Sequence, residues 1–344
     1  MTVPVVEKSS LSVGEMIGDG GEGEVFEIKG QPNNVLKIFK DAVRHELNES
    51  GLVATINIVH SMNSTEQAIV RQKSVWPHTL VQENGRFVGF IMPMLSADHF
   101  CRHGQRGNPI EGMNDWNKLT FRKAWMSNSN LESDCPPLWF PDGTSLDKMN
   151  DSQKKSRQKL IELLLDVAEL FEIFHRHKVV VGDVSGRNIL WSRATGESVM
   201  LIDCDGCRVE NTVGVTRAKQ SPDWFDPVIG SSTPTNIESD LFKLTIALYR
   251  GYFADGLGMP SKNTTPLVNQ EDKEFQQMAL RGVANTGRPS AGEWVSFLRG
   301  LKTSVEFSGR PVITDWRTPL PGEYAPKAVT TPPPDEPRPN IPIR

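Results

Sequence analysis

The sequence predicts an α+β fold in two lobes, a strand-rich first half and a helical second half with a cleft between them. Two observations carry this reading. Short apolar runs broken by glycine and turn residues fill residues 23–40 and 75–92, as strands do. Past residue 150 the spacing becomes helical, most plainly in LIELLLDVAELFEIF, which is apolar on nearly all sides and belongs inside a core. Clefts between lobes are where ligands bind.

Composition narrows the function classes. Hydrophobic residues make up 38% of the 344, with 8 Trp and 15 Phe, enough for a sizeable core and too much for a disordered chain. Lys and Arg total 38 against 42 Asp and Glu, a net charge of −4, so no basic footprint marks a nucleic-acid or membrane-surface partner. The 4 cysteines are too few for a disulfide scaffold, which favours a reducing compartment. The first residues lack the cationic and apolar regions of a signal peptide. No run approaches the ~18 apolar residues of a spanning helix. The expectation is a soluble cytoplasmic protein.

The elements follow in order. Strands are expected at 23–29 and 34–40, then a helix over 41–62 from the spacing of Leu47, Leu52, Ile56 and Val59. Two strands at 75–82 and 86–92 flank the turn Glu83-Asn84-Gly85. Helices are expected at 152–177, 239–252, 270–282 and 290–302. Residues 1–95 form the first lobe and 151–306 the second. Residues 96–150 are turn-rich around a short helical piece at 117–126 and read as an insertion. Residues 307–344 are dense in proline and poor in large apolar groups, a tail or linker able to dock a partner.

The chemistry sits in an ordered set of motifs. Gly18-Asp19-Gly20-Gly21-Glu22-Gly23-Glu24-Val25 fits G-x-G-x-x-G-x-V. A strand pattern follows it rather than a helix, so the glycines would form a hairpin covering phosphates rather than a dinucleotide turn. Lys37 lies among apolar neighbours in the next strand, where an ammonium needs an anionic partner. Asp183 and Asn188 stand five residues apart in an apolar setting, and Asp203 and Asp205 end another apolar strand. Together they make an oxygen-rich cluster suited to Mg²⁺.

This order resembles the eukaryotic-type protein kinase family over residues 14–302, with 96–150 unmatched. The resemblance implies a bilobal protein-kinase-like fold that uses ATP with Mg²⁺ or Mn²⁺ on a protein substrate. Gly18, Gly20, Gly23 and Val25 would cover the nucleotide, and Lys37 would hold its α- and β-phosphates. Glu49, with Glu46 as runner-up, would pair with Lys37. Asp183 would accept the substrate hydroxyl proton, and Asn188, Asp203 and Asp205 would hold metal. Residues 89–95, with Met92 and Met94, resemble the hinge that receives adenine. Ser221-Pro222-Asp223-Trp224-Phe225-Asp226-Pro227 resembles the peptide-positioning segment, Asp240 the acid that brace the catalytic loop in such a fold, and Arg288-Pro289-Ser290-Ala291 the start of a late helix.

Departures from the family pattern are specific. Val181-Gly182 replaces the His-Arg before the catalytic Asp, so a loop phosphate lacks its usual partner. Ser185 stands where a Lys is usual, and Arg187 two residues later is the candidate replacement cation. The metal motif reads Asp203-Cys204-Asp205, and Val228 replaces a glutamate, leaving Arg288 in need of another acid. Atypical bacterial kinases encoded beside a metal-dependent phosphatase and a von Willebrand-type protein look similar. Three readings stand: a Ser/Thr protein kinase, a pseudokinase that binds nucleotide or acts as a scaffold, and a small-molecule kinase, which the peptide-positioning segment disfavours. Cys204-x2-Cys207 lacks a second ligand pair for zinc. His99, Cys101, His103 and Cys135 match no standard zinc spacing, which leaves a small structural site as the alternative.

Overall fold

A computed structural model describes residues 2–135, 138–192, 199–216, 220–230, 234–261 and 267–306. The first 93 residues build the strand-rich part: β1 (Val5–Glu7), β2 (Val13–Asp19), β3 (Gly23–Ile28), β4 (Asn34–Phe39), β5 (Thr79–Glu83) and β6 (Arg86–Pro93). They form one six-stranded sheet in the order β1-β5-β6-β4-β3-β2. All neighbours are antiparallel except β1 on β5. β1 was not expected from so short an apolar run. Its Val5-to-Leu80 register extends the sheet beyond β5.

The expected helix over 41–62 is broken. A single turn, α1 (Asp41–Arg44), precedes α2 (Glu49–Ser61). Asn48 separates them, its backbone N–H donating to the Val215 carbonyl at 2.8 Å. A further helix, α3 (Ser64–Lys73), was missed although its capping box is legible: Asn63 and Glu66 exchange side-chain and backbone hydrogen bonds. The strand expected from residue 75 starts only at Thr79, because the Val75 N–H donates to the Leu201 carbonyl in the helical half.

Residues 96–150 hold more order than their turn-rich sequence suggested. β7 (Phe100–Gln105), β8 (Asn108–Met113) and β9 (Leu131–Ser133) form a three-stranded sheet in the order β8-β7-β9. α4 (Trp116–Thr120) and α5 (Arg122–Met126) divide the expected 117–126 helix. The segment is bound into the core of the helical half. Trp116 is fully buried and donates from Nε1 to the Ala247 carbonyl. The buried Arg122 donates to the carbonyls of Leu119, Leu138, Trp139 and Gly251.

The helical half is built on α6 (Asp151–Arg176), capped by Asn150 and Gln153. Its Leu160, Leu163, Leu164, Ala168, Phe171 and Phe174 lie in the main core. The strands β10 (Val179–Val180), β11 (Ile189–Trp191), β12 (Val199–Leu201) and β13 (Arg208–Val209) follow, pairing as β10 with β13 and β11 with β12. Then come α7 (Ile237–Phe253), α8 (Gln270–Gly282) and α9 (Ala291–Glu306). α6 packs along α9 and α7. No helix among the described residues is long and apolar enough to cross a membrane. The proline-rich 307–344 lies outside the described residues.

The acid that Arg288 needs is Asp226. The guanidinium grips both carboxylate oxygens and also donates to the Glu238 and Ala284 carbonyls, with both side chains almost wholly enclosed. Breaking one side of a buried pair costs ~3–5 kcal/mol, because the remaining charge stays dry and unpaired. Asp226→Asn and Arg288→Met should each lower unfolding free energy by about that amount in urea titrations. The double variant should lose less than the sum, and strict additivity would show that the pair is not coupled.

Candidate functional site

The glycine hairpin forms as the sequence implies. Gly18 pairs with Val25 and Asp19 with Glu24, and the Gly20 N–H closes the turn on the Gly23 carbonyl at 2.8 Å. Gly23 is required by close approach: a Cβ there would lie 2.8 Å from the Ile38 carbonyl oxygen. Val25 is buried against Lys37, its partner in the β3–β4 register.

Lys37 crosses from the sheet to the helical half. Its Nζ lies 2.9 Å from both carboxylate oxygens of Asp205 and 3.5 Å from Asp203 Oδ1. The Phe39 and Phe90 rings flank it at 5.8 and 5.6 Å. Burial alone would push the ammonium pKa down, but the Asp205 and Asp203 charges outweigh that and the net shift is upward. Burial pushes the Asp205 carboxyl up, and Asp203 adds to it while Lys37 opposes.

Two expected roles change here. Asp205 serves as the lysine's counterion, with both carboxylate oxygens on Lys37 Nζ. Glu49 is not brought to Lys37; its Oε1 accepts from Gln82 Nε2 at 3.3 Å. Glu46 pairs with His45 at 3.4 Å. The inner face of α2 is small and neutral, which explains both. A Cβ on Gly51 would come within 2.8 Å of Gly214, and Thr55 Oγ1 donates to the Cys207 carbonyl at 2.8 Å. The 203–207 loop and residues 213–215 therefore fill the space that a helix glutamate would cross.

Residues 213–216 are anchored on both sides. Val215 is wholly buried with Phe39, Leu52 and Ile56. Asn48 Nδ2 donates to the Gly214 carbonyl, and Thr216 Oγ1 to Glu22 Oε2 at the tip of the hairpin.

The loop after β10 is held from behind by α7. Asp240 accepts from the Val181 and Gly182 N–H groups at 2.6 and 3.0 Å. Lys243, fully buried, donates to the Gly182 carbonyl at 2.5 Å and lies in the fields of Asp240 and Asp183. Gly182 has φ +82°, and a Cβ there would stand 3.1 Å from Thr235 Oγ1 and 3.5 Å from an Arg208 guanidinium nitrogen. Arg208 thus occupies the space beside Gly182. Neither Lys243 nor Arg208 was identified from sequence. A lysine in the otherwise apolar run L-F-K-L-T-I-A-L of α7 was the available signal.

Asp183 faces outward from this frame. Its Oδ1 accepts from both the N–H and the hydroxyl of Ser221 at 2.9 Å. Asn188 Nδ2 donates to the Asp183 carbonyl at 2.8 Å, and the Asn188 carbonyl accepts from the Ile202 N–H beside Asp203. Asp203 itself has a left-handed backbone, φ 55°, and a side chain 47% exposed. Asn188 Oδ1 and the Asp203 carboxylate are hard oxygen donors of the kind Mg²⁺ takes. Arg187 is exposed; its N–H donates to Ser185 Oγ, and Asp115 is the acid that feels its charge. The structure does not bring it to the Asp183 carboxylate. In β6, Met92 pairs with Val35, and the Met94 N–H donates to the Asn33 carbonyl at 2.9 Å. That donor is committed within the strand-rich part.

No protein-family model matches this sequence, and a search of curated proteins finds no match.

Lys37→Met leaves Asp205 buried without its cation. The folded Asp205 pKa then rises further above its unfolded value, so the variant takes up a proton on folding and gains stability as pH falls through that folded pKa. Thermal melts from pH 8 to 5 should show the largest deficit against wild type at pH 8, ~3 kcal/mol or more, narrowing toward pH 5. A deficit independent of pH would show that Asp205 does not depend on Lys37.

Proposed function

We propose that this chain is an ATP-dependent protein kinase that transfers a γ-phosphoryl group to a protein hydroxyl, Ser or Thr rather than Tyr. The observation that carries the reading is the approach of Lys37 to Asp203, side chains 166 residues apart in sequence and 3.5 Å apart in space. This contact joins the glycine hairpin to the loop pair that carries Asp183 and Asn188. Phosphoryl transfer asks for those parts: positioning groups, charge stabilisation, and a carboxylate to orient a hydroxyl.

Each residue then has a task. The hairpin glycines allow the backbone to approach phosphate oxygens closely. Lys37 exchanges its Asp205 partner for phosphate oxygens, a swap of one anionic partner for another in the same buried setting. Asn188 and Asp203 would hold Mg²⁺, which when bound neutralises charge on the transferred group. Asp183 Oδ1 already accepts a serine hydroxyl at 2.9 Å, within the range for a general base to receive a substrate proton. Asp240 and Lys243 fix the peptide planes just before Asp183. Trp224 and the Arg250 guanidinium stacked 4.7 Å over it would form the floor for the acceptor peptide.

A second reading has its own observation. With both Asp205 oxygens on Lys37 and Thr216 tied to Glu22, the chain suits a nucleotide-binding or scaffolding module that has lost transfer.

Incubation with radiolabelled ATP and Mg²⁺ or Mn²⁺ separates the two. Wild type should label itself or a generic protein substrate, and Asp183→Ala should abolish labelling; equal labelling would remove Asp183 from catalysis. A chain that labels nothing while ATP raises its melting temperature supports the second reading. Asp203→Ala should weaken nucleotide binding only when metal is present, by titration calorimetry with and without Mg²⁺. An equal loss in both conditions would argue against Asp203 as a metal ligand.

A further inference from the structure

A second cluster of donor atoms lies outside the cleft, in the three-stranded sheet of residues 100–133. Extending the His103-to-Ser133 register of β7 and β9 two residues outward sets Cys101 opposite Cys135. Asp134 adjoins Cys135, its Oδ1 accepting the Arg102 N–H at 2.8 Å while its own N–H donates to the Arg102 carbonyl. The two sulfurs and an Asp134 carboxylate oxygen all lie within 4.8 Å of one another. A fourth donor faces them from the end of β8. Asn114 is fully buried, and its Oδ1 lies 3.5 Å from Cys101 Sγ and 3.3 Å from Cys135 Sγ. Its amide nitrogen is locked on the Trp191 carbonyl at 2.8 Å, which keeps the oxygen turned to the sulfurs.

Two thiols aimed at one amide oxygen make weak hydrogen bonds for so buried a place. The same four atoms suit a tetrahedral cation well. At a Zn–S distance of about 2.3 Å, tetrahedral ligand sulfurs stand ~3.8 Å apart, so the cluster needs little closure. We propose that Cys101, Cys135, Asp134 and Asn114 Oδ1 hold one zinc-class divalent ion that pins the 96–150 segment together.

Thiolate ligands select zinc over Mg²⁺, which takes hard oxygen donors. Binding converts both thiols to thiolates and releases two protons, and the two thiolates and carboxylate set three negative charges against the ion's two positive ones. The ion would cross-link β7 to the chain leaving β9, just before Leu138 and Trp139 enter the main core. The other pair, Cys204 and Cys207, provides the internal control. Burial holds the Cys204 thiol well up, and no third acidic or imidazole ligand joins the pair among the described residues.

The test uses the full chain, kept reduced, equilibrated with zinc buffered in the nanomolar range and desalted before metal analysis. The expected result is about one zinc per chain in wild type and in the Cys204→Ser, Cys207→Ser double variant, and none in Cys101→Ser, Cys135→Ser. Asp134→Asn should raise the zinc dissociation constant about tenfold or more. Cobalt exchanged into wild type should give thiolate charge-transfer absorption and the strong visible bands of a tetrahedral centre. That readout decides the matter even where the Cys101 and Cys135 variant fails to fold. A reduced wild-type chain that retains neither metal overturns the proposal. So does zinc retained without Cys101 and Cys135, or lost with Cys204 and Cys207.

Discussion

A buried ammonium on a sheet is the constraint around which the candidate site is arranged. Lys37 sits in a strand whose Val35, Leu36, Ile38 and Phe39 belong to the core, and an unpaired charge there would cost several kcal/mol. The two carboxylates that relieve it come from the turn after β12, so the sheet and the helical half share a charge pair. The left-handed backbone at Asp203 follows, since it turns the chain so that Asp203 and Asp205 both reach the same nitrogen. The small inner face of α2 follows as well. With Gly51 and Thr55 there, the loop can lie close enough for Asp205 to serve in place of a helix acid.

The opposite wall rests on a second set of buried charges. Asp240 and Lys243 are both fully buried on α7, one turn apart, and between them they satisfy two N–H groups and one carbonyl of the Val181-Gly182 peptide region. A loop held by three charge-assisted hydrogen bonds has little freedom to tilt. Asp183 inherits that rigidity. Arg288 and Asp226 do the same for the segment that carries Ser221, so the two partners in the 2.9 Å hydroxyl contact are each fixed from behind. Replacing such pairs with apolar groups could leave stability intact. What they supply is a single orientation for groups that must be aimed.

Legibility in the sequence followed the range of the interaction. Strands β3, β4 and β6 and helices α6 to α9 came within a few residues because apolar periodicity is local and strong. The glycine hairpin was legible for the same reason. The α3 helix carried a readable Asn63 and Glu66 signature that hydrophobic spacing alone passed over. What periodicity does not encode is which acid meets which base. Glu49 was assigned to Lys37 by its place in a pattern, yet α2 starts at that residue and turns it toward Gln82. Asp205 looked like a metal ligand beside Asp203, yet only folding sets both its oxygens on Lys37. With Val228 in place of the usual glutamate, the acid that Arg288 needs lies two residues earlier, at Asp226. The 100–133 sheet was hidden by turn residues, since its strands are held by register and by donors far apart in the chain.

The segment at 213–216 connects these points into one energetic argument. Val215 is buried in the sheet-side core, and Asn48 and Glu22 hold the chain on either side of it. Bringing an acid from α2 to Lys37 would require α2 to move inward, through the space that Gly214 and Cys207 occupy. Extracting Val215 alone exposes apolar surface worth roughly 1.5–3 kcal/mol. Nucleotide phosphates, if bound as proposed, would take over Lys37 with α2 and Val215 left in place, because Asp205 already shows that an anion reaches the ammonium from the loop side. The rearrangement of least cost is thus an exchange of anions at Lys37. Asp205, released from the lysine, would then have to find water, a proton or a cation, and its raised pKa makes the proton the readiest of the three.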